Sequence, residues 1–179
     1  MNIEPSERLS YAFMGAEDAG FMLDLDSDPQ VMQFINGGKC STPEDIEQVI
    51  LPRLYSYRNS ARGWGMWRLI ETSSGDSIGM VLARPMHFFS DHPDETDIEL
   101  GWRLRRSAWG KGYATEAAKH LMQALQQHDP AIRAFTAIAF EANVGSTNVM
   151  QKLGMQFVKK AVHPDPLGDH EVVFYQCQR

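Results

Sequence analysis

Residues 105–118 read RRSAWGKGYATEAA. Two glycines, Gly110 and Gly112, bracket Lys111, and a helix-forming run follows at once. Apolar residues recur at 114, 117, 118, 121, 122 and 125, the stripe of a half-buried helix. Ala114, Ala117, Ala118, Leu121, Met122 and Leu125 are therefore expected in the core. Glu116, Lys119, His120 and Gln123 belong to the polar face. The glycines ahead of the helix allow several consecutive N–H groups to stand bare at the positive end of the helix dipole. That arrangement suits an anion, most often phosphate. Arg105, Arg106 and Lys111 add positive charge, and no carboxylate appears before Glu116. The same glycines would also serve a plain strand-to-helix turn. A Walker A loop is excluded because Gly112, not Ser or Thr, follows Lys111. A Rossmann turn is excluded because position 115 is threonine.

Working outward, residues 97–104 (DIELGWRL) alternate as a strand, with Ile98, Leu100, Trp102 and Leu104 on one side and Glu99, Gly101 and Arg103 on the other. Residues 65–71 and 77–84 flank Thr72–Asp76 as a hairpin. A long polar loop is expected over 85–96. Residues 133–140 read as another strand, 145–153 as a short helix capped by Gly154, and 156–162 and 171–177 as two closing strands. Toward the N-terminus, 8–13 read as a strand and 16–27 as a helix. Asp28-Pro29 breaks that helix, an apolar segment resumes at Val31–Ile35, and Gly37-Gly38 ends it. Thr42-Pro43-Glu44-Asp45 is a helix start, and Pro52 is expected to kink that helix or split it in two. Hairpin-length links dominate, so the fold class is mixed α/β (α+β) with a largely antiparallel sheet.

The 179 residues suit one domain, 1–179. Apolar residues make up 43%, enough for a sizeable core. The formal charge of -6 argues against a nucleic-acid partner. No apolar run reaches membrane-spanning length and the N-terminus lacks a signal-peptide pattern, so no membrane partner and a cytoplasmic location are expected. Cys40 and Cys177 have neither metal-ligand nor framework spacing, and the six histidines share no ligand face, so no metal is expected.

From strand to helix, DIELGWRLRRSAWGKGYATEAAKHLM (97–122) resembles the acetyl-coenzyme A (acetyl-CoA) motif of the GNAT superfamily of N-acetyltransferases. Its loop has the form (Arg/Gln)-x-x-Gly-x-(Gly/Ala), here Ser107 to Gly112 with serine first. ANVGSTNVMQKLGMQF (142–157) is similar to the family's late Asn-x-x-Ser…Lys-Leu-Gly segment. The block 6–38 resembles the branch that includes the ribosomal-protein alanine N-acetyltransferases. The resemblance implies six to seven strands with a V-shaped splay between two parallel strands, 97–104 and 133–140, and about four flanking helices. It implies a transferase, an acyltransferase moving acetyl from acetyl-CoA to a primary amine, either a small molecule or a protein N-terminus. A CoA-binding module without catalysis is the alternative. A homodimer is common in such a family.

The site residues come from the same resemblance. Pantetheine would pair with the backbone near Trp102, Arg103 and Leu104. The pyrophosphate would take N–H groups of Trp109, Gly110, Lys111, Gly112, Tyr113 and Ala114, and Asn143 would bond the cofactor from the far side. A bulge at Gly101 would splay the strands. Glu99 is the candidate proton acceptor, because an ammonium near pKa of about 10 must lose a proton before attack. Met150 stands where relatives carry a tyrosine, so Ser146 is the candidate for the departing sulfur, with helix capping as its other reading. Trp64, Trp67, Phe88, Phe89 and Trp102 are core or pocket aromatics. The acids Asp91, Asp94, Glu95 and Asp97 are solvated loop residues or a lure for a cationic acceptor.

Overall fold

A computed structural model describes residues 1–178. The strands are β1 (Leu9–Phe13), β2 (Gly65–Glu71), β3 (Ser77–Met86), β4 (Asp94–Leu104), β5 (Ala134–Ala139), β6 (Gln156–His163) and β7 (His170–Gln178). They form one sheet in the order β1-β2-β3-β4-β5-β7-β6, antiparallel except for the β4–β5 pair.

The helices cover both faces. Helix α5 (Tyr113–His128) lies on one face, where Ala117, Ala118, Leu121 and Leu125 pack with Ile98, Phe135 and Met150 of the strands and α6 (Val144–Lys152). Ala114 and Met122 are only partly buried at its margin. Each fully buried leucine or phenylalanine here is worth about 1.5–3 kcal/mol. On the other face sit α1 (Ala19–Leu25), α2 (Pro29–Asn36), α3 (Pro43–Asp45) and α4 (Leu51–Tyr57), around Met14, Met22, Ile46, Leu54 and Met80. Asp28 caps α2 by accepting from Gln30 N–H, and Gly37 closes it with φ 76°. Thr42 and Asp45 form a reciprocal capping box for α3. Between α3 and α4 the chain widens into a π turn over Ile46–Ile50, with Leu51 N–H bonded back to Ile46 O. The interruption expected from Pro52 takes this form: proline has no N–H for the regular ladder, so the turn before it loosens.

Two expectations need correction. The long loop over 85–96 shrinks to residues 87–93, because β3 runs to Met86 and β4 starts at Asp94. The ladder slips between Pro85 and Met86, where proline cannot donate. The bulge expected at Gly101 is absent: β3 and β4 pair in constant register from Gly79–Leu104 to Pro85–Ile98. The splay arises instead on the other edge of β4. Parallel pairing with β5 runs from Asp97–Ala134 to Leu100–Ala137, and then β5 continues beside β7 alone.

Candidate active site

Where pairing stops, the edge of β4 from Gly101 to Leu104 has no strand beside it. Backbone groups left bare inside a sheet call for a partner. A groove of about 440 Å³ follows this edge, bordered by Trp102, Arg103, Leu104, Trp109, Gly110, Gly112, Tyr113 and Ala114. Asn143, Ser146 and Lys152 form its far side. The structure thus gathers most of the expected cofactor residues into one hollow. Lys111 is the exception. It borders a separate polar hollow with Glu71, Asp76, Arg105 and Ser107. The Leu104 carbonyl is also partly engaged, since it accepts from Trp109 Nε1 at 2.9 Å.

The loop itself is shaped by its glycines. Gly110 and Gly112 have φ 72° and 81°, and a Cβ on Gly110 would meet nothing within 4 Å. A short 3₁₀ turn over Arg106–Ala108 leads in, and α5 begins at Tyr113. Glu116, the first acid of the helix, is neutralised by Arg8. It accepts from Ser6 Oγ at 2.7 Å and from Arg8 N–H at 2.8 Å, and pairs with Arg8 Nη2 at 2.7 Å. Burial works against that carboxylate, yet these bonds outweigh it and lower its pKa. Arg105 and Arg106, expected to lend free charge, are paired with Asp24 and Asp28. On the far side Asn143 Oδ1 caps α6 by accepting from Ser146 N–H at 3.2 Å. Ser146 is therefore not the cap, and it borders the groove. Met150 is buried in the main core.

A second hollow, about 450 Å³, opens on the α1–α4 face. Phe34, Ile35 and Arg103 border both hollows, which meet beside the splay. Arg103 is fixed there by an ion pair with the buried Asp26. Glu99 lies beneath this second cleft, directly across the ladder from Arg84. Arg84 grips both carboxylate oxygens, Nε to Oε2 at 2.9 Å and Nη2 to Oε1 at 2.7 Å. Both residues are buried. Burial disfavours the Arg84 cation, but the charge and hydrogen bonds of Glu99 outweigh it and raise its pKa. The expected proton acceptor thus borders neither hollow itself and is clamped by Arg84, which borders the second.

Sequence reasoning missed most of the cleft's charged residues. Arg53 pairs with Asp165 and stacks on Phe89, 3.9 Å from the ring centroid. His163 borders the cleft; its Nδ1 is buried without a partner, and burial lowers its pKa despite the opposing charge of Glu99. These partners come from segments far apart in the chain, which no local pattern joins. The aromatics fall out differently. Trp64 and Trp67 are core, Phe88 and Phe89 pack against Tyr57, and Trp102 borders the cofactor-side groove. Of the four acids expected near the acceptor, Asp91 in the β3–β4 loop and Asp94, Glu95 and Asp97 on β4, none borders the cleft. Glu95 pairs with Arg62, Asp94 bonds Thr96, and Asp97 is half-buried against Thr136 and Gln176. Among the described residues no cluster of three metal-ligating side chains occurs, and no helix is long and apolar enough to cross a membrane.

Comparison with known proteins agrees with this geometry. FsC-acetyl coenzyme A-N(2)-transacetylase of Aspergillus fumigatus is 30% identical over 119 residues, 65% of this chain and 49% of that protein. The alignment thus spans about half the length of that relative. An acetyltransferase (GNAT family) of Bacillus anthracis superposes with a TM-score of 0.74 at 23% identity, covering 99% of this chain and 98% of that one. RimL, a ribosomal L7/L12 α-N-protein acetyltransferase solved with coenzyme A, superposes at 0.75 and 14% identity, covering 99% and 98%. The family model for an acetyltransferase (GNAT) domain matches residues 8–156, so this chain belongs to the GNAT acetyltransferase family.

Proposed function

We propose that this chain is an acetyl-CoA dependent N-acetyltransferase that moves the acetyl group directly to a primary amine. The observation that carries this reading is the meeting of two hollows at Arg103, beside the unpaired edge of β4. An extended thioester arm in the groove would add itself to that edge like a strand. Backbone N–H groups of Trp109 to Ala114 would take the pyrophosphate, with Asn143 a donor from α6. The amine would enter from the α1–α4 face. Its nitrogen attacks the thioester carbonyl carbon, the C–S bond breaks, one proton leaves the amine and one reaches the departing sulfur. Ser146, which borders the groove, is the proposed partner of that sulfur. Glu99 is the proton acceptor, acting through water on the lone pairs that Arg84 leaves free.

A second reading, CoA binding without transfer, draws on two observations: Glu99 is clamped by Arg84, and Met150 cannot donate a proton. One assay separates the two. The protein is incubated with acetyl-CoA and single amines, and both free thiol and acetylated amine are measured. Amine-dependent release of both supports the enzyme. Saturable CoA binding with no amine consumed supports the module. Glu99→Gln should then retain CoA binding and lose turnover by about 100-fold or more, in line with a general-base contribution. Full activity in that variant would remove Glu99 from the mechanism.

A further inference from the structure

Resting on the acetyltransferase reading, we infer that the cleft on the α1–α4 face takes a small amine with an apolar body and no second positive charge. The walls point that way first. Met14, Met22, Met32, Met66 and Met80 border the cleft together with Phe34, Leu82 and Ile138. Methionine is flexible and polarizable, so such a wall accepts apolar groups of varied shape. A volume of about 450 Å³ is the size of a small-molecule site.

The charges point the same way. Three carboxylates border the cleft, and none is spare. Asp26 is held by Arg103, Asp165 by Arg53, and Asp45 by the Thr42 capping box. Glu99, beneath, is held by Arg84. With Glu99 counted beside its partner, four carboxylates, Asp26, Asp45, Asp165 and Glu99, face four cationic side chains, Lys39, Arg53, Arg84 and Arg103, so no net negative charge remains for a second ammonium. A polyamine or aminoglycoside carries several ammonium groups, and each needs its own carboxylate or water. Every carboxylate of this cleft is already engaged. A lone ammonium entering it loses hydration and meets arginine, and both effects favour the neutral, nucleophilic amine. That eases the demand on a clamped Glu99.

The test uses four probes with the full chain: phenethylamine and hexylamine as apolar monoamines, spermidine and kanamycin as polycations. A short peptide with a free N-terminus is a fifth arm. Thiol release gives kcat/KM for each, and thermal unfolding of the CoA-bound protein gives binding independently of turnover. The expected result is kcat/KM at least about tenfold higher for an apolar monoamine than for either polycation or the peptide. Preference for spermidine, kanamycin or the peptide overturns the inference. If no amine is acetylated, the transferase reading fails, and the unfolding arm still decides this one. Stabilisation by phenethylamine and not by spermidine upholds it; the reverse, or no stabilisation by either monoamine, overturns it. Arg53→Gln frees Asp165 and should move the spermidine to phenethylamine ratio, in kcat/KM or in stabilisation, several-fold toward spermidine. An unmoved ratio in a folded variant would sink the charge-matching argument.

Discussion

At one end of the β4–β5 pair, Asp97 ties β4 to the next two strands on that side, β5 and β7. Its Oδ2 accepts from Thr136 Oγ1 of β5 and from Gln176 Nε2 of β7, each at 2.8 Å. At the other end, from Gly101 onward, β4 and β5 have no bond between them. The same two strands are thus tied by side chains where they must stay together and left bare where something else must enter. A closed sheet would have paired every backbone group and left no groove. The open end is tolerable because the rest of the sheet holds β4 and β5 at a fixed separation. Substitutions can break that comparison at four places, in order of expected effect.

The largest effect is expected between the two ends, at Arg84. Arg84→Met strands Glu99 as a buried carboxylate without its partner, and should cost about 3–5 kcal/mol in denaturant unfolding. Replacing both, as Arg84→Met with Glu99→Leu, should recover most of that loss while ending activity. A single variant as stable as wild type would mean the pair is not truly buried. Next is Gly79, which faces Leu104 across the ladder. A Cβ there would meet Arg103 O at 2.5 Å and Leu104 Cα at 2.7 Å, both backbone. Gly79→Ala should cost about 1–3 kcal/mol by overpacking and distort the open edge, so CoA affinity should fall with stability.

Asp97 tests the tied end. Burial raises its pKa above the unfolded value of 3.8, against the bonds from Thr136 and Gln176. Between those values the folded chain holds a proton that the unfolded chain has released. Stability from this group is therefore greatest in acid and is lost as pH rises through that window. Asp97→Asn should carry a pH-independent cost of about 1 kcal/mol for its misplaced amide. Its deficit against wild type should shrink from about pH 4 to neutrality. A deficit that grows with pH would show that the ionised form is the favoured one. The smallest effect is expected at Gly101, where a Cβ would approach Leu82 no closer than 3.4 Å. Gly101→Ala should change stability by less than about 1 kcal/mol, because regular pairing there requires no glycine. A large loss would restore the bulge.

Much of this architecture was legible because it rests on local signals. The α5 stripe, the two glycines, the Thr42 cap and the order of elements are all set by neighbouring residues, whereas Asp28 read only as a break and turns out to cap α2. The groove residues on β4, the loop and α6 were found because the resemblance supplied their roles. The acceptor side was not legible. Arg84 and Glu99 are 15 positions apart, Asp26 and Arg103 77, and Arg53 and Asp165 112. Ion pairs between distant segments leave no periodic trace. Lys111, between two left-handed glycines, borders the neighbouring hollow, a placement that its charge alone does not reveal. Pro85 read as a strand end, but it tolerates a strand wherever the ladder can slip past it.

The central claim is that the glycine loop and the open edge of β4 hold coenzyme A. Thermal unfolding of wild type and Gly110→Asp with acetyl-CoA, coenzyme A, ATP or no ligand tests it directly. Position 110 is chosen because a side chain there meets no neighbouring atom, and although its φ of 72° strains any substitution, aspartate tolerates that region better than most residues. At a hundred times its dissociation constant a ligand stabilises the folded state by about 2.7 kcal/mol. The predicted result is a shift of that order with both coenzyme A forms, none with ATP, and none in Gly110→Asp. An unshifted wild type, or a shift that survives the added carboxylate, would contradict the claim and leave the glycines as a turn.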